Sequence, residues 1–152
     1  TTMPSFVYSS VIDAKVSRVF AFHESPEALE QLMPPWQPAR VLSRSGGLQP
    51  GARVELLVPL GPFHRRWVAR HTEYVRDRLF VDVQEEGPFR RWTHRHEFNE
   101  EGPDHTRLTD RIEFSLPGGL PIDLLGAWFA RLQLRRMFTY RHAVTRRLCE
   151  GS

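Results

Sequence analysis

Residues 89–116 read FRRWTHRHEFNEEGPDHTRLTDRIEFSL, and their alternation decides the fold. From Phe89 to Phe98 one face carries Trp92, His94, His96 and Phe98, and the other carries Arg91, Thr93, Arg95 and Glu97. From Thr106 to Leu116 one face carries Leu108, Asp110, Ile112, Phe114 and Leu116, and the other Arg107, Thr109, Arg111, Glu113 and Ser115. A period of two with one apolar and one wet face is the pattern of a half-buried strand. Gly102-Pro103 between the two runs marks a hairpin turn.

The same reading extends towards the N-terminus. Ala39–Arg44, Arg53–Pro59, Arg66–Val75 and Leu79–Glu85 are rich in strand formers, and Gly46-Gly47, Gly61-Pro62, Asp77 and Gly87-Pro88 punctuate them. Short turns between successive strands predict an antiparallel meander. Ser5–Ile12 adds a seventh strand. Between it and the meander, Asp13 is placed to cap a short helix carrying Val16, Val19 and Phe20, and Ser25-Pro26-Glu27 to start a second that stops before Pro34-Pro35.

Beyond Pro117-Gly118-Gly119 the period changes. Pro121 and Asp123 suit a helix start. Ala127, Ala130, Leu134, Met137, Phe138, Arg141, Val144 and Leu148 then share one face at helical spacing, with His142 beside them. Leu120–Leu148 would be about 40 Å long at ~1.5 Å per residue. One long amphipathic helix cannot cover both faces of seven strands, so the sheet must curl around it with its convex face in water. The expected class is α+β: one domain over 1–152, core about 5–148, with a cavity where the short helices hold sheet and long helix apart.

The faces that should be dry carry ionisable groups. A hairpin at Gly102-Pro103 sets Asp110 opposite or diagonal to His94 and His96, within about 5–8 Å. Leu79–Glu85 is ambiguous: Phe80, Asp82 and Gln84 share one face and Leu79, Val81 and Val83 the other, and hydrophobicity alone favours the valines inside. A buried carboxylate must be paired, hydrated or used. Four uses fit: a hydrogen-bond network fixing strand register, a polar patch for a ligand, acid/base catalysis by His94 or His96 with Asp110, or metal binding by the same three. Arg141 can meet an anionic ligand or a buried acid, or lie along the surface. Trp67, Trp128, Phe138 and Tyr140 can line a cavity or be plain core. No serine sits in an elbow motif or beside an obvious base, which argues against a nucleophilic serine.

The 152 residues suit one domain, and 40% hydrophobic with 26% charged residues is ordinary for a globular chain. Lys15 is the only lysine among 21 basic residues. The arginines are spread along the chain with no groove-reading motif beside them, so no nucleic-acid partner is expected. Cys149 alone forms no internal disulfide, no secretory signal is present, and no run reaches the ~18 apolar residues of a span. These features predict a cytoplasmic protein without stable membrane insertion; a homodimer is compatible with them.

The run Phe80-x-Asp82-x-Gln84-x-x-Gly87-Pro88-Phe89-x-x-Trp92-x-His94-x-His96-x-Phe98, with Phe6–Phe20, Pro34-Pro35-Trp36, Leu108-x-Asp110-x-Ile112 and Met137-Phe138-x-Tyr140-Arg141-His142, resembles bacterial members of the SRPBCC superfamily. That superfamily includes START lipid-transfer domains, polyketide cyclases/dehydrases and coenzyme-Q-binding proteins. The resemblance runs from about Phe6 to Leu148. It implies a START-like, helix-grip fold, a mainly hydrophobic pocket, and Phe80, Asp82 and Gln84 facing inward. No catalytic residue transfers with it, and the iron-ligand motif of the oxygenase relatives is not matched.

The expected function is therefore binding or carriage of a hydrophobic small molecule, such as a lipid, quinone or polyketide-like compound. The expected site is Trp67, Phe80, Asp82, Gln84, Trp92, His94, His96, Asp110, Phe114, Phe138 and Arg141, with Trp67, Trp92, Phe114 and Phe138 around a closed cavity and no metal or cofactor. The alternative is a cyclase or dehydratase using His94 or His96 with Asp110.

Overall fold

The computed structural model describes residues 4–118 and 120–151, with the backbone alone for 120–123. Gly119 and the side chains of Pro121 and Asp123, which belong to the expected turn and helix start, lie outside the described residues.

The elements in chain order are β1 (Ser5–Ile12), α1 (Val16–Glu24), α2 (Ala28–Gln31), β2 (Arg40–Ser45), β3 (Arg53–Leu60), β4 (Phe63–Val75), β5 (Leu79–Glu86), β6 (Arg91–Glu100), β7 (Thr106–Ser115) and α3 (Leu120–Cys149). All seven strands form one antiparallel sheet in the order β1-β7-β6-β5-β4-β3-β2. β2 to β7 are a simple meander, and β1 returns to the far side of β7. α3 lies against β1, β7 and α1. This is the expected helix-grip arrangement.

Three local readings need correction. Asp13 does not cap α1: Lys15 holds the N-cap position without a side-chain bond, and the Asp13 carboxylate pairs with His105 Nδ1 at 2.9 Å instead. Ser25 closes α1 rather than opening α2, because its backbone N–H and its hydroxyl both donate to the Phe22 carbonyl. α2 is only Ala28–Gln31, with Glu27 before it. β4 starts at Phe63, since β3 and β4 pair down to Leu60↔Phe63 across the two-residue turn at Gly61-Pro62. A two-residue hairpin needs positive φ, which Gly61 supplies at +59°.

The convex face carries cross-strand ion pairs: Arg66 with Glu55 and Glu86, Arg53 and Arg70 with Glu85, Arg111 with Glu97. At such exposure each contributes little to stability. They interleave the sheet's basic residues with acids. Val81 is buried on this outer side, beside its cross-strand partners Glu73 and Arg95, whose long side chains can cover it.

Two apolar clusters fill the concave side. One gathers Ile12, Val19, Phe20, Phe80, Phe98, Leu108 and Cys149; the other gathers Phe6, Ile112, Phe114, Ala127, Leu134 and Phe138. On α3 the inward stripe includes His142, Thr145 and Cys149, while Leu148, expected inside, is 36% exposed. Gly126 fits because Leu116 packs where its Cβ would be. The N-terminal half of α3 turns Leu124, Leu125, Trp128 and Phe129 outward, each more than half exposed, so Trp128 lines no cavity.

Candidate functional site

The register of β4 to β7 and β1 builds the site. One rung across the sheet reads Phe80, His96, Asp110, Tyr8; the next reads His71, Asp82, His94, Ile112. Because side chains alternate, both rungs project to the concave side, between the two apolar clusters. Phe80, Asp82 and Gln84 therefore face inward, as the family resemblance implies and contrary to hydrophobicity alone, which favours the valines inside.

Asp110 is the hub. Its Oδ1 accepts from His94 Nε2 at 2.8 Å and lies 3.3 Å from His96 Nδ1; its Oδ2 accepts from His142 Nε2 at 2.7 Å. His96 reaches the second carboxylate through Nε2, 2.9 Å from Asp82 Oδ2. A carboxylate oxygen lies near each ring nitrogen of His96, an arrangement that favours its protonated form. Burial works against that charge, and the bonds to Asp110 and Asp82 outweigh it, so its pKa is raised. Burial also opposes the Asp110 charge, but the hydrogen bonds from His142, His94 and His96 hold its pKa well below the usual carboxylate value. Asp82 is lowered too, by the His96 hydrogen bond against the cost of burial. His94 is lowered by burial and by the charge of His96.

Aromatic rings fix these groups. His96 lies stacked between Phe80 and His94, with ring centres 3.8 and 3.6 Å away. Phe138 of α3 meets His94 edge-on at 5.2 Å, and Tyr8 meets His142 at 4.6 Å. The network is thus held from both the sheet and the helix.

Above it is a small cavity of about 20 Å³ lined by His23, Leu32, His96, Asp110, Phe138 and Arg141, among others. That is room for about one water. A larger groove of about 480 Å³ lies on the surface at the β4–β5 turn, lined by Arg76, Asp77, Arg78, Asn99 and Glu100. It holds none of the network's histidines or aspartates.

Several expected site residues are placed elsewhere. Of the four aromatics expected around the cavity, only Phe138 reaches it. Trp67 and Trp92 pack against each other at 5.0 Å and against Phe89, which in turn contacts Phe114. These rings pack mostly edge to face on one another. Gln84 serves the backbone: its Nε2 donates to the Phe89 carbonyl at 2.7 Å and its Oε1 accepts the Phe89 N–H at 3.1 Å. This clamps the Gly87-Pro88 turn, and a Cβ at Gly87 would collide with the Gln84 side chain. It also explains why β6 begins at Arg91 and not at Phe89.

Other groups join the site without having been singled out. His142 was placed beside the inward stripe, and its spacing of four from Phe138 is the signal for it. His23 lines the cavity, its Nδ1 bonded to the Val19 carbonyl at 2.8 Å, and burial pushes its pKa down to about 4. Ser10 does have a base: its Oγ is 2.6 Å from His142 Nδ1, and Arg146 Nη1 donates to it at 3.1 Å. The pairing joins residues 132 apart, which no local motif announces.

Asp82, His94 and His96 offer three atoms within 4.8 Å of one another that could ligate a metal. The two Nε2 atoms face carboxylates at hydrogen-bond distance, where protons satisfy the same positions. No helix among the described residues is long and apolar enough to cross a membrane.

A family model described as polyketide cyclase / dehydrase and lipid transport matches residues 12–138. Among solved structures, the chain is similar to the Zhui aromatase/cyclase from Streptomyces sp. R1128, with 15% identity and a TM-score of 0.72 over 94% of this chain and 92% of that one. It is similar to a START superfamily protein from Mycobacterium smegmatis, with 13% identity and a TM-score of 0.70 over 96% and 97%. It is also similar to part of a nucleoside-diphosphate sugar epimerase from Corynebacterium glutamicum, with 23% identity and a TM-score of 0.70 over 93% of this chain but 28% of that one. At these identities the likeness is one of fold. No curated protein matches the chain.

Proposed function

The chain belongs to the polyketide cyclase / dehydrase and lipid transport family, and on that premise we propose that it binds and carries a hydrophobic small molecule whose polar head sits on the Asp82–His96–Asp110 network under α3. One observation carries this reading: a band of ionisable side chains lies on the concave face between two apolar clusters, at the wall of a cavity. Such a band offers a few convergent polar groups in an apolar setting, as ligand sites do. The cavity as it stands holds about one water, so a ligand must displace its cover. Leu32, just after α2, is one of the residues on the cavity wall. Native mass spectrometry of gently purified protein tests the proposal. A mass excess released as an organic compound supports it; protein that is bare and takes up no hydrophobic compound contradicts it.

A second reading, a cyclase- or dehydratase-type enzyme, draws on the 2.8 Å contact between His94 and Asp110. A neutral imidazole held by a buried carboxylate is the arrangement of a general base. Under this reading Asp110→Asn abolishes turnover even at temperatures where the variant remains folded. A change that mainly lowers the melting temperature assigns Asp110 to structure.

A further inference from the structure

Among the described residues two buried side-chain nitrogens lack a hydrogen-bond partner, His71 Nδ1 and Arg141 Nε, and of these two residues only Arg141 is on the cavity wall. It lines the cavity from α3, beside Asp110 and His142. Its Nε is buried and has no hydrogen-bond partner. No carboxylate among the described residues forms an ion pair with it; its nearest cation contact is the Phe138 ring, 5.2 Å from the guanidinium carbon. The two acids in reach are already engaged, Asp110 by three histidines and Asp82 by His96. The residue is half-buried, and burial lowers its pKa. A guanidinium presents a planar fork of donors suited to a carboxylate.

We propose that the ligand is a hydrophobic organic acid bound as its anion, its carboxylate paired with Arg141. This rests on the carrier reading above and names the head group that reading left open. A singly charged, planar carboxylate fits the fork. A dianionic phosphate adds charge beside Asp110 and Asp82, which repel it.

The test compares matched acid and alcohol probes by calorimetry: dodecanoate with dodecanol, and naphthoate with naphthalenemethanol. The wild-type protein is expected to bind the acid of at least one pair about tenfold or more tightly than its alcohol. Arg141→Met should erase that preference while still binding the alcohol, and Arg141→Lys should retain part of it. Free Arg141→Met protein should melt no lower than wild type, because it loses a half-buried charge without an ion-pair partner. Equal affinities within both pairs, or a preference that survives Arg141→Met, overturn the proposal. So does an Arg141→Met protein that no longer folds, which would make the arginine structural. If the wild type binds no member of either pair, the carrier reading falls as well.

Discussion

The imidazole of His94 lies flat against that of His96, with ring centres 3.6 Å apart and planes 26° from parallel. Two stacked histidines cannot both carry a charge cheaply, and the surrounding bonds decide which one does. His96 takes a carboxylate at each nitrogen, whereas His94 has one at Nε2. The two pKa values are thereby pushed apart, His96 up and His94 down.

Asp110 accepts from three histidines and Asp82 from one. Asp110→Asn should therefore cost about 3 kcal/mol or more, because a buried charge network loses its centre. Asp82→Asn should cost clearly less, its carboxylate being more exposed and singly bonded. Urea denaturation of the two variants measures the ordering.

Stability should peak near neutral pH. His23 is pushed down from 6.5 to about 4, so below pH 6.5 the unfolded chain takes up a proton that the folded one refuses. This costs at most about 3 kcal/mol by pH 4. The depressed Asp110 stabilises the fold above pH 3.8 and loses that contribution as pH falls towards its folded value. The raised pKa of His96 acts oppositely: its contribution is complete below pH 6.5 and disappears as pH rises through the folded value. Urea midpoints measured against pH should show the peak, and His23→Leu should flatten the limb between pH 6.5 and about 4.

The motif around Gly87 is a structural clamp. Gln84→Ala removes both bonds to Phe89 and should cost about 1–3 kcal/mol. Gly87→Ala should cost a similar amount, because its methyl group meets the Gln84 amide. The double variant should cost less than the sum, which a double-mutant cycle reads directly.

Leu32→Ala should lower stability by about 2–3 kcal/mol while widening the cavity. Uptake of a small apolar probe such as benzene, followed by NMR, should increase. At the far end of the molecule, Trp128→Ser should change stability by less than about 0.5 kcal/mol in the same denaturation assay, since the indole is 65% exposed.

Much of this was legible before the structure. Alternation in β6 and β7 gave the inward sets Trp92, His94, His96, Phe98 and Leu108, Asp110, Ile112, Phe114, and the hairpin at Gly102-Pro103 brought His96 opposite Asp110. What stayed hidden depends on three-dimensional closure. A period of two cannot show that Gln84 turns back on its own turn, or that Trp67 and Trp92 pack on each other rather than line the cavity. The bond between Ser10 and His142 joins the first strand to the last helix, so no spacing rule reaches it. The helix caps failed for a local reason: Asp13 and Ser25 had the right chemistry, but other partners, His105 and the Phe22 carbonyl, took them.

A ligand whose polar head sits on the buried histidine and aspartate network must change the surroundings of these imidazoles, and this seating can be read from them. Imidazole nitrogen NMR of the free protein and of protein loaded with its co-purified compound tests it most directly. The account predicts that the signals of His94, His96, His142 and His23 shift on loading while those of the exposed His64 and His105 stay in place. Loading that leaves all four buried signals unchanged would contradict it.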